Sequence, residues 1–454
     1  MLRGPKTRVA AALVALTLLG AACSSRDDDD ASSDGDSGSE DAGEASIDTA
    51  DCIADPTVPI EGDTIKLVSS FPQSGLTAAF SEIARGWKAY FDKVNADGGV
   101  EIDGTSYQIE YTDQDDQYNA AETAANIDEM VGGEGEGAFA VFSVVGTANN
   151  IAIRDLLNDL CVPNVFAATG APAWGNEDYP WLIGSTLSPY SLEGYMFAQV
   201  LEQENPSATV AMLVQDDDFG AAYEEGFRQA IEGTDIEVVA VEEYATGASE
   251  VGAQITSLAA SGADAFFDGG TLLACPDALT QVAATDWEPI TWVSSTCLSD
   301  TLMGLAGAAA DGVWGAANLK DPLDPQWDDD PAMVEYLETI NQYQPEGFRE
   351  TNAIVGYGYT QAAVFVEAIE AAEAPTRLAF MESLHNLDVS DVGMLLPGVT
   401  VTTGEGDAYM GESLQLAQYE FIGDGERNHF VPTGELVDFE GQTTELTPEE
   451  LING

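Results

Sequence analysis

Ala138-Phe139-Ala140-Val141-Phe142-Ser143-Val144-Val145-Gly146-Thr147-Ala148-Asn149-Asn150, followed by Asn164-Val165-Phe166-Ala167-Ala168-Thr169-Gly170-Ala171, decides how this chain folds. Each stretch is an apolar run that stops at small hydroxyl and glycine residues just before a helical pattern. A parallel sheet presents loops and helix N-termini in this way at its carboxyl edge, where open α/β folds bind ligands. Backbone N–H groups beside threonine hydroxyls suit a small anion such as a carboxylate. Taken singly, Thr147, Asn149 and Thr169 read as helix caps, and two such loops in succession weigh against that reading.

Working outward, strand and helix patterns alternate on both sides. Strands are expected over 65–71, 107–112, 138–144 and 163–168, and helices over 81–95, 120–131 and 150–160. The first helix carries Ile83, Trp87, Tyr90, Phe91 and Val94 on one face and ends at Gly98-Gly99, which supply a left-handed turn. Residues 181–189 break the alternation. A second set follows, with helices over 191–204, 221–231, 251–260 and 277–284 and strands over 208–215, 237–243, 265–268, 290–293 and 312–316. Two successive sets imply two α/β lobes, each a mostly parallel sheet covered on both faces. After the proline-rich loop Asp321-Pro322-Leu323-Asp324-Pro325 come helices over 333–344, 351–372 and 376–384, strands over 399–402 and 414–422, and a polar tail.

The chain opens with Arg3, Lys6 and Arg8, an apolar run over 9–19, and Gly20-Ala21-Ala22-Cys23, the layout of an export signal. The cysteine after two alanines resembles the lipobox of bacterial lipoproteins, although Gly20 stands where that motif commonly has Leu. Cys23 is therefore expected to carry a lipid. The acidic stretch that follows, with hardly an apolar side chain over 24–50, reads as a disordered spacer. No later segment is apolar and long enough to span a bilayer, so the membrane is met through the anchor only.

Lys and Arg number 14 against 80 Asp and Glu, a net charge of -66 that repels phosphate backbones and anionic lipid head groups. Nucleic acid is excluded as a partner on that ground. With Cys23 set aside, four cysteines remain, there is no Cys-x-x-Cys, and His385 and His429 are the two histidines. Two disulfides are expected and no metal. Cys275 and Cys297 follow successive expected strands and should meet at one sheet edge, which leaves Cys52 for Cys161. The chain has no Gly-x-Ser-x-Gly, no phosphate-binding glycine loop and no His-Glu-x-x-His, so it reads as a binding protein without a cofactor; carboxylates are too many for counting to exclude an acid pair.

Ser74-Gly75, Gly86, Asn95-Ala96-Asp97-Gly98-Gly99-Val100, Ala167-Ala168-Thr169, Asp218-Phe219-Gly220, Leu305-Ala306-Gly307 and Asp311-Gly312-Val313 together resemble the branched-chain amino acid (leucine/isoleucine/valine)-binding family. These are substrate-binding proteins of ABC importers with the type I periplasmic-binding-protein fold. The resemblance implies two lobes joined by three hinge crossings, placed near 186, 318 and 413. With the signal peptide over 1–22, the lipidated, acidic tether over 23–61 and the polar tail over 441–454 read above, it gives a first lobe over 62–186 plus 319–412 and a second over 187–318 plus 413–440. It implies that Gly146, Thr147, Ala168 and Thr169 hold a ligand's carboxylate and ammonium. Ser74 and Phe80 lie at the same sheet edge, and Phe80 either stacks on the ligand or caps the core. Phe219 stands near where many relatives carry tyrosine. Relatives also place an acid near Ser295 and none stands there here; Asp268, or one of Asp216 to Asp218, could replace it. For any one of these acids alone, a helix cap or a solvated loop is the simpler role. The implied function is a monomeric, extracytoplasmic lipoprotein that captures a small polar solute, an amino acid or amide-like molecule, and delivers it to an ABC permease and its ATPase. The alternative is a sensing or scavenging lipoprotein without a permease.

Overall fold

The computed structural model describes residues 47, 49–133, 135–347, 351–404 and 406–454. Cys23, the signal segment and the acidic stretch up to 46 lie outside the described residues.

The first lobe opens with β1 (Thr64–Phe71), α1 (Ser81–Asp97), β2 (Val100–Ile102), β3 (Thr105–Asp115) and α2 (Ala120–Val131). It continues through β4 (Ala140–Phe142), α3 (Thr147–Leu160), β5 (Asn164–Val165) and β6 (Leu182–Ile183). The strands form one sheet in the order β2-β3-β1-β4-β5-β6, parallel except for the β2-β3 hairpin.

The second lobe starts with α4 (Tyr190–Glu204), β7 (Thr209–Gln215), α5 (Asp218–Ala230), β8 (Glu237–Tyr244), α6 (Gly252–Ser261) and β9 (Ala265–Gly269). Next come α7 (Ala274–Ala283), β10 (Ile290–Val293), α8 (Asp300–Ala306) and β11 (Trp314–Ala317). The chain then returns to the first lobe with α9 (Pro331–Tyr343), α10 (Ala353–Ala371), α11 (Arg377–Leu384) and the small pair β12 (Asp388–Ser390) and β13 (Thr400–Thr402). It ends with β14 (Ser413–Glu420), β15 (His429–Pro432), β16 (Val437–Asp438) and α12 (Glu449–Asn453). The second sheet runs β15-β14-β11-β10-β9-β7-β8, with β14 antiparallel to its neighbours.

Three passages between the sheets follow: after β6, after β11 and before β14. The first two are bound together where Asn318 Nδ2 donates to Thr186 O at 2.6 Å, Leu396 N–H donates to Asn318 O at 2.8 Å, and Gly411 on the third lies so close that a Cβ there would strike Thr186 O. Helix α10 comes late in the chain, yet completes the first lobe. It is buried along most of its length and lies on α1 at a distance that only glycine permits. A Cβ on Gly86 would strike Val355 O, and one on Gly358 would strike Ile83 O. The apolar faces of α1 and α10, with Trp87, Phe91, Phe142 and Phe365 in edge-on contact, form the centre of that core.

Several expectations are corrected. Strands expected over 138–144 and 163–168 are three and two residues long, because Ser143 (φ 55°) and Phe166 (φ 58°) bend the backbone into the left-handed region. Helix α3 starts at Thr147, three residues early. The stretch 181–189 contributes β6, and the short β2, β12, β15, β16, α8 and α12 went unread. The tether ends sooner than 61, since Ile53 N–H donates to Asp159 O (2.9 Å), Ile60 N–H to Pro375 O (2.8 Å), and Cys52 is joined to Cys161. The polar tail over 441–454 is packed on the body: Thr443 hydrogen-bonds Glu412, and Thr447 Oγ1 lies 2.7 Å from Ser191 Oγ. The second disulfide joins Cys275 to Cys297. No helix among the described residues is long and apolar enough to cross a membrane.

Candidate functional site

The carboxyl ends of the two sheets face each other across a cleft that encloses about 1290 Å³ of empty space, its open mouth included. Gly146, Ala168 and Thr169 line it from the first lobe, and Tyr190, Glu193, Phe219, Thr271 and Ser295 from the second.

On the first-lobe side, the two left-handed bends are held by one side chain. Gln361 of α10, fully buried, accepts from Ser143 Oγ (2.7 Å) and donates to Tyr357 Oη (2.8 Å) and Phe166 O (3.4 Å). The bends turn the chain into the loops that carry Gly146 and Thr169. Gly146, which lines the cleft, is the N-cap of α3 at φ 106°, and no side chain caps the helix there. Thr169 Oγ1 lies 2.7 Å from Thr147 Oγ1. Tyr118 packs on Gly146, stacks on Phe80 at 5.8 Å and stands beside Gln215 of the opposite lobe. Its loop is pinned by Asp116, which accepts from the N–H of Tyr118 and the hydroxyls of Ser70 and Thr123, each at 2.9 Å.

On the second-lobe side, Tyr190 stacks on Tyr223 at 4.4 Å and meets Phe219 edge-on at 5.2 Å. Glu193, fully buried on the first turn of α4, accepts from Tyr223 Oη at 2.8 Å and from the N–H of Ser295 at 2.9 Å. Burial pushes its carboxyl up to about 7 against those hydrogen bonds. Thr271 Oγ1 lines the cleft, buried and without a hydrogen-bond partner.

The expected residues separate into two groups. Phe80, Gly146, Ala168, Thr169, Phe219 and Ser295 come together on the cleft. Ser74 does not: it is exposed, with its hydroxyl on Asp115 Oδ2 at 2.5 Å, because the turn at Gly75 carries it outward. Thr147 stands behind Thr169 and not on the cleft surface. Asp268 is wholly buried beneath the strand ends, where burial holds its carboxyl well above the usual range, so it is no substitute acid. Asp217 caps α5 through the N–H groups of Phe219 and Gly220. The acid beside Ser295 is Glu193, from another element of the chain. Tyr118, Tyr190, Thr271 and Gln361 were also missed. The cap reading fails for Thr147 and Thr169: the N-cap of α3 is Gly146, and Thr169 starts no helix.

Among the described residues, Asp407, Glu412 and Glu440 are a carboxylate trio with ligand-like spacing, away from the cleft lining.

A sequence model described as periplasmic binding protein matches residues 64–426. In fold, the chain is similar to a branched-chain amino acid ABC transporter protein from Thermus thermophilus with bound valine (19% identity, 83% of this chain and 96% of that one, TM-score 0.71). A fatty acid ABC transporter substrate-binding protein from Thermomonospora curvata gives 17% identity, 86% and 96% coverage and a TM-score of 0.71. An ABC transporter substrate-binding protein from Aeropyrum pernix gives 16%, 87%, 100% and 0.72.

Proposed function

The chain belongs to the periplasmic binding protein family, and from that premise we propose that it is the extracytoplasmic solute-binding component of an ABC importer. One observation carries the choice of solute. An uncapped helix N-terminus and a threonine hydroxyl on one lobe face a buried carboxylate on the other, between aromatic and aliphatic walls. The first pair suits a carboxylate and the second an ammonium, the two ends of an α-amino acid. The neighbours named for valine and for fatty acid both imply a carboxylate on an apolar body, and Glu193 favours the first of these.

Both lobes must grip the solute for it to stabilise the closed form, since a ligand shifts an equilibrium only by its differential affinity. Residues on opposite lobes that meet through Tyr118 and Gln215, and through the N–H of Tyr190 and Gly170 O at 2.8 Å, support closure by rotation about the three crossings. Anchoring is proposed through a lipid on Cys23, and Cys23→Ala should release the protein from membranes while leaving solute affinity unchanged.

The test is thermal melting and calorimetric titration with leucine and valine, the same molecules without the amino group, and the same molecules as amides. Leucine or valine at 100 times its Kd should stabilise the protein by about 2.7 kcal/mol. Equal responses to the amino acids and to their counterparts lacking the amino group would refute the role of Glu193. No response to any carboxylate would refute the amino-acid reading. Native mass spectrometry of freshly purified protein would identify a solute carried through purification.

A further inference from the structure

The cleft does not end at Thr169 and Glu193. It continues past the hinge strands along the face of β11, β14 and β15, where Ala317, Gln415 and Ala417 line it together with Pro432 and Phe430. The register places these on one face: Ala317 opposite Gln415, Ala417 opposite Pro432, and Phe430 opposite Tyr419. From Gln415 to the level of Phe430 is four residues of β14, ~13 Å of strand over which the lining is spread. Room exists there because the strand positions are small. Alanines stand at 317 and 417, while the space over Gly315 is filled by Leu298, whose Cδ2 a Cβ would strike. Leu298, Trp327, Ile354 and Leu396 form the facing wall.

Charged groups at the hinge end are each engaged with their own surroundings. Asp321 accepts from the N–H groups of Leu323 (2.9 Å) and Phe430 (3.2 Å), and Asp324 from the N–H of Gln326 (2.9 Å). Lys320 Nζ donates to Asp330 at 2.9 Å and lies over the Trp327 ring. They line the hinge end with polar atoms already paired within the loop, and Leu298, Trp327, Ile354, Leu396, Ala417 and Phe430 supply apolar surface beside them.

We infer that this extension is a chamber for the far end of the solute, so that the natural ligand carries a long, unbranched apolar body without a terminal charge. This rests on the preceding reading only for the polar head; the chamber stands on its own lining. Two probe series separate them. Straight-chain alcohols from butanol to decanol have neither carboxylate nor ammonium and report on the chamber alone. Straight-chain 2-amino acids from 2-aminobutanoic to 2-aminodecanoic acid report on head and chamber together.

By titration, affinity in the alcohol series should rise about fourfold per added methylene until the chamber is full. Ala417→Phe should stop the rise at a shorter chain. Trp327→Ala, which leaves the strand core intact and keeps the test alive if Ala417→Phe melts early, should reduce the gain per methylene. Alcohol affinity independent of length in the wild type, or a series unchanged in both folded variants, would overturn the chamber. Alcohols that gain with length while 2-amino acids bind no tighter than alcohols would uphold the chamber and sink the head-group reading instead.

Discussion

Replacing Glu193 with Gln changes one atom in the cleft and tests two consequences of a single buried carboxyl. The wild-type side chain accepts from Tyr223 Oη and from the N–H of Ser295, both of which the Gln carbonyl oxygen can satisfy only in part. Burial raises the carboxyl from 4.5 to about 7, so ionising it in the folded protein costs on the order of 3 kcal/mol. Because the folded value lies above the unfolded one, the stabilising contribution is full below pH 4.5 and is lost as pH rises through 7. Gln has no such dependence. The difference in melting free energy between wild type and Glu193→Gln should therefore move by roughly 3 kcal/mol in favour of Gln between pH 4.5 and pH 8. Taking the difference removes Glu412, up to about 8, and Asp321, up to about 6, which are common to both proteins. An ammonium in the cleft favours the ionised form. Wild type should then release a proton on binding an amino acid at pH 6, seen as a buffer-dependent titration enthalpy, and Gln should not. Affinity for the amino acid should fall about 10- to 100-fold in the variant. Parallel pH–stability curves, with unchanged affinity, would refute the assignment of Glu193 to the solute's ammonium.

Thr169→Ala should weaken binding of carboxylate-bearing solutes about 10- to 100-fold, whereas Thr147→Ala, which acts only by holding Thr169, should cost less; titration of both separates contact from support. Gly146→Ala forces a left-handed residue onto a side chain and brings its Cβ to 2.8 Å from the Tyr118 ring, so melting should drop by at least about 1 kcal/mol and binding should suffer with it. Replacing Cys275 and Cys297 together with Ser opens a 22-residue link and should cost roughly 3 kcal/mol in denaturant unfolding.

Periodicity made the two α/β lobes legible, since alternating strand and helix signals depend on local pattern alone. The loops at Gly146 and Thr169 were legible for the same reason. Glu193 was not, because an acid in a helix reads as solvated. The signal was present all the same: Glu193 lies on the stripe of Met196, Phe197, Val200 and Leu201, all buried, and an acid on an apolar stripe needs a partner. Asp268 misled in the opposite sense. Its place at a strand end suggested the cleft, yet strand alternation points it under the sheet edge, one residue before β9 stops. Gln361 could not be inferred at all, because it joins bends about 200 residues away in sequence. The hinge chamber is of the same kind, assembled from loops and strands that only tertiary packing brings together.

The clamp at Cys52 has a mechanical consequence. Its partner Cys161 closes the C-terminal end of α3, a 14-residue helix whose other end faces the cleft ~21 Å away. A pull on the chain ahead of Cys52 is taken up by a covalent bond into one lobe, along a helix axis and into the first sheet. The three crossings are bypassed. Under the proposed anchoring through Cys23, drag would be passed to the first lobe alone, and the proposed closure of the second lobe onto it would proceed without load on the crossings.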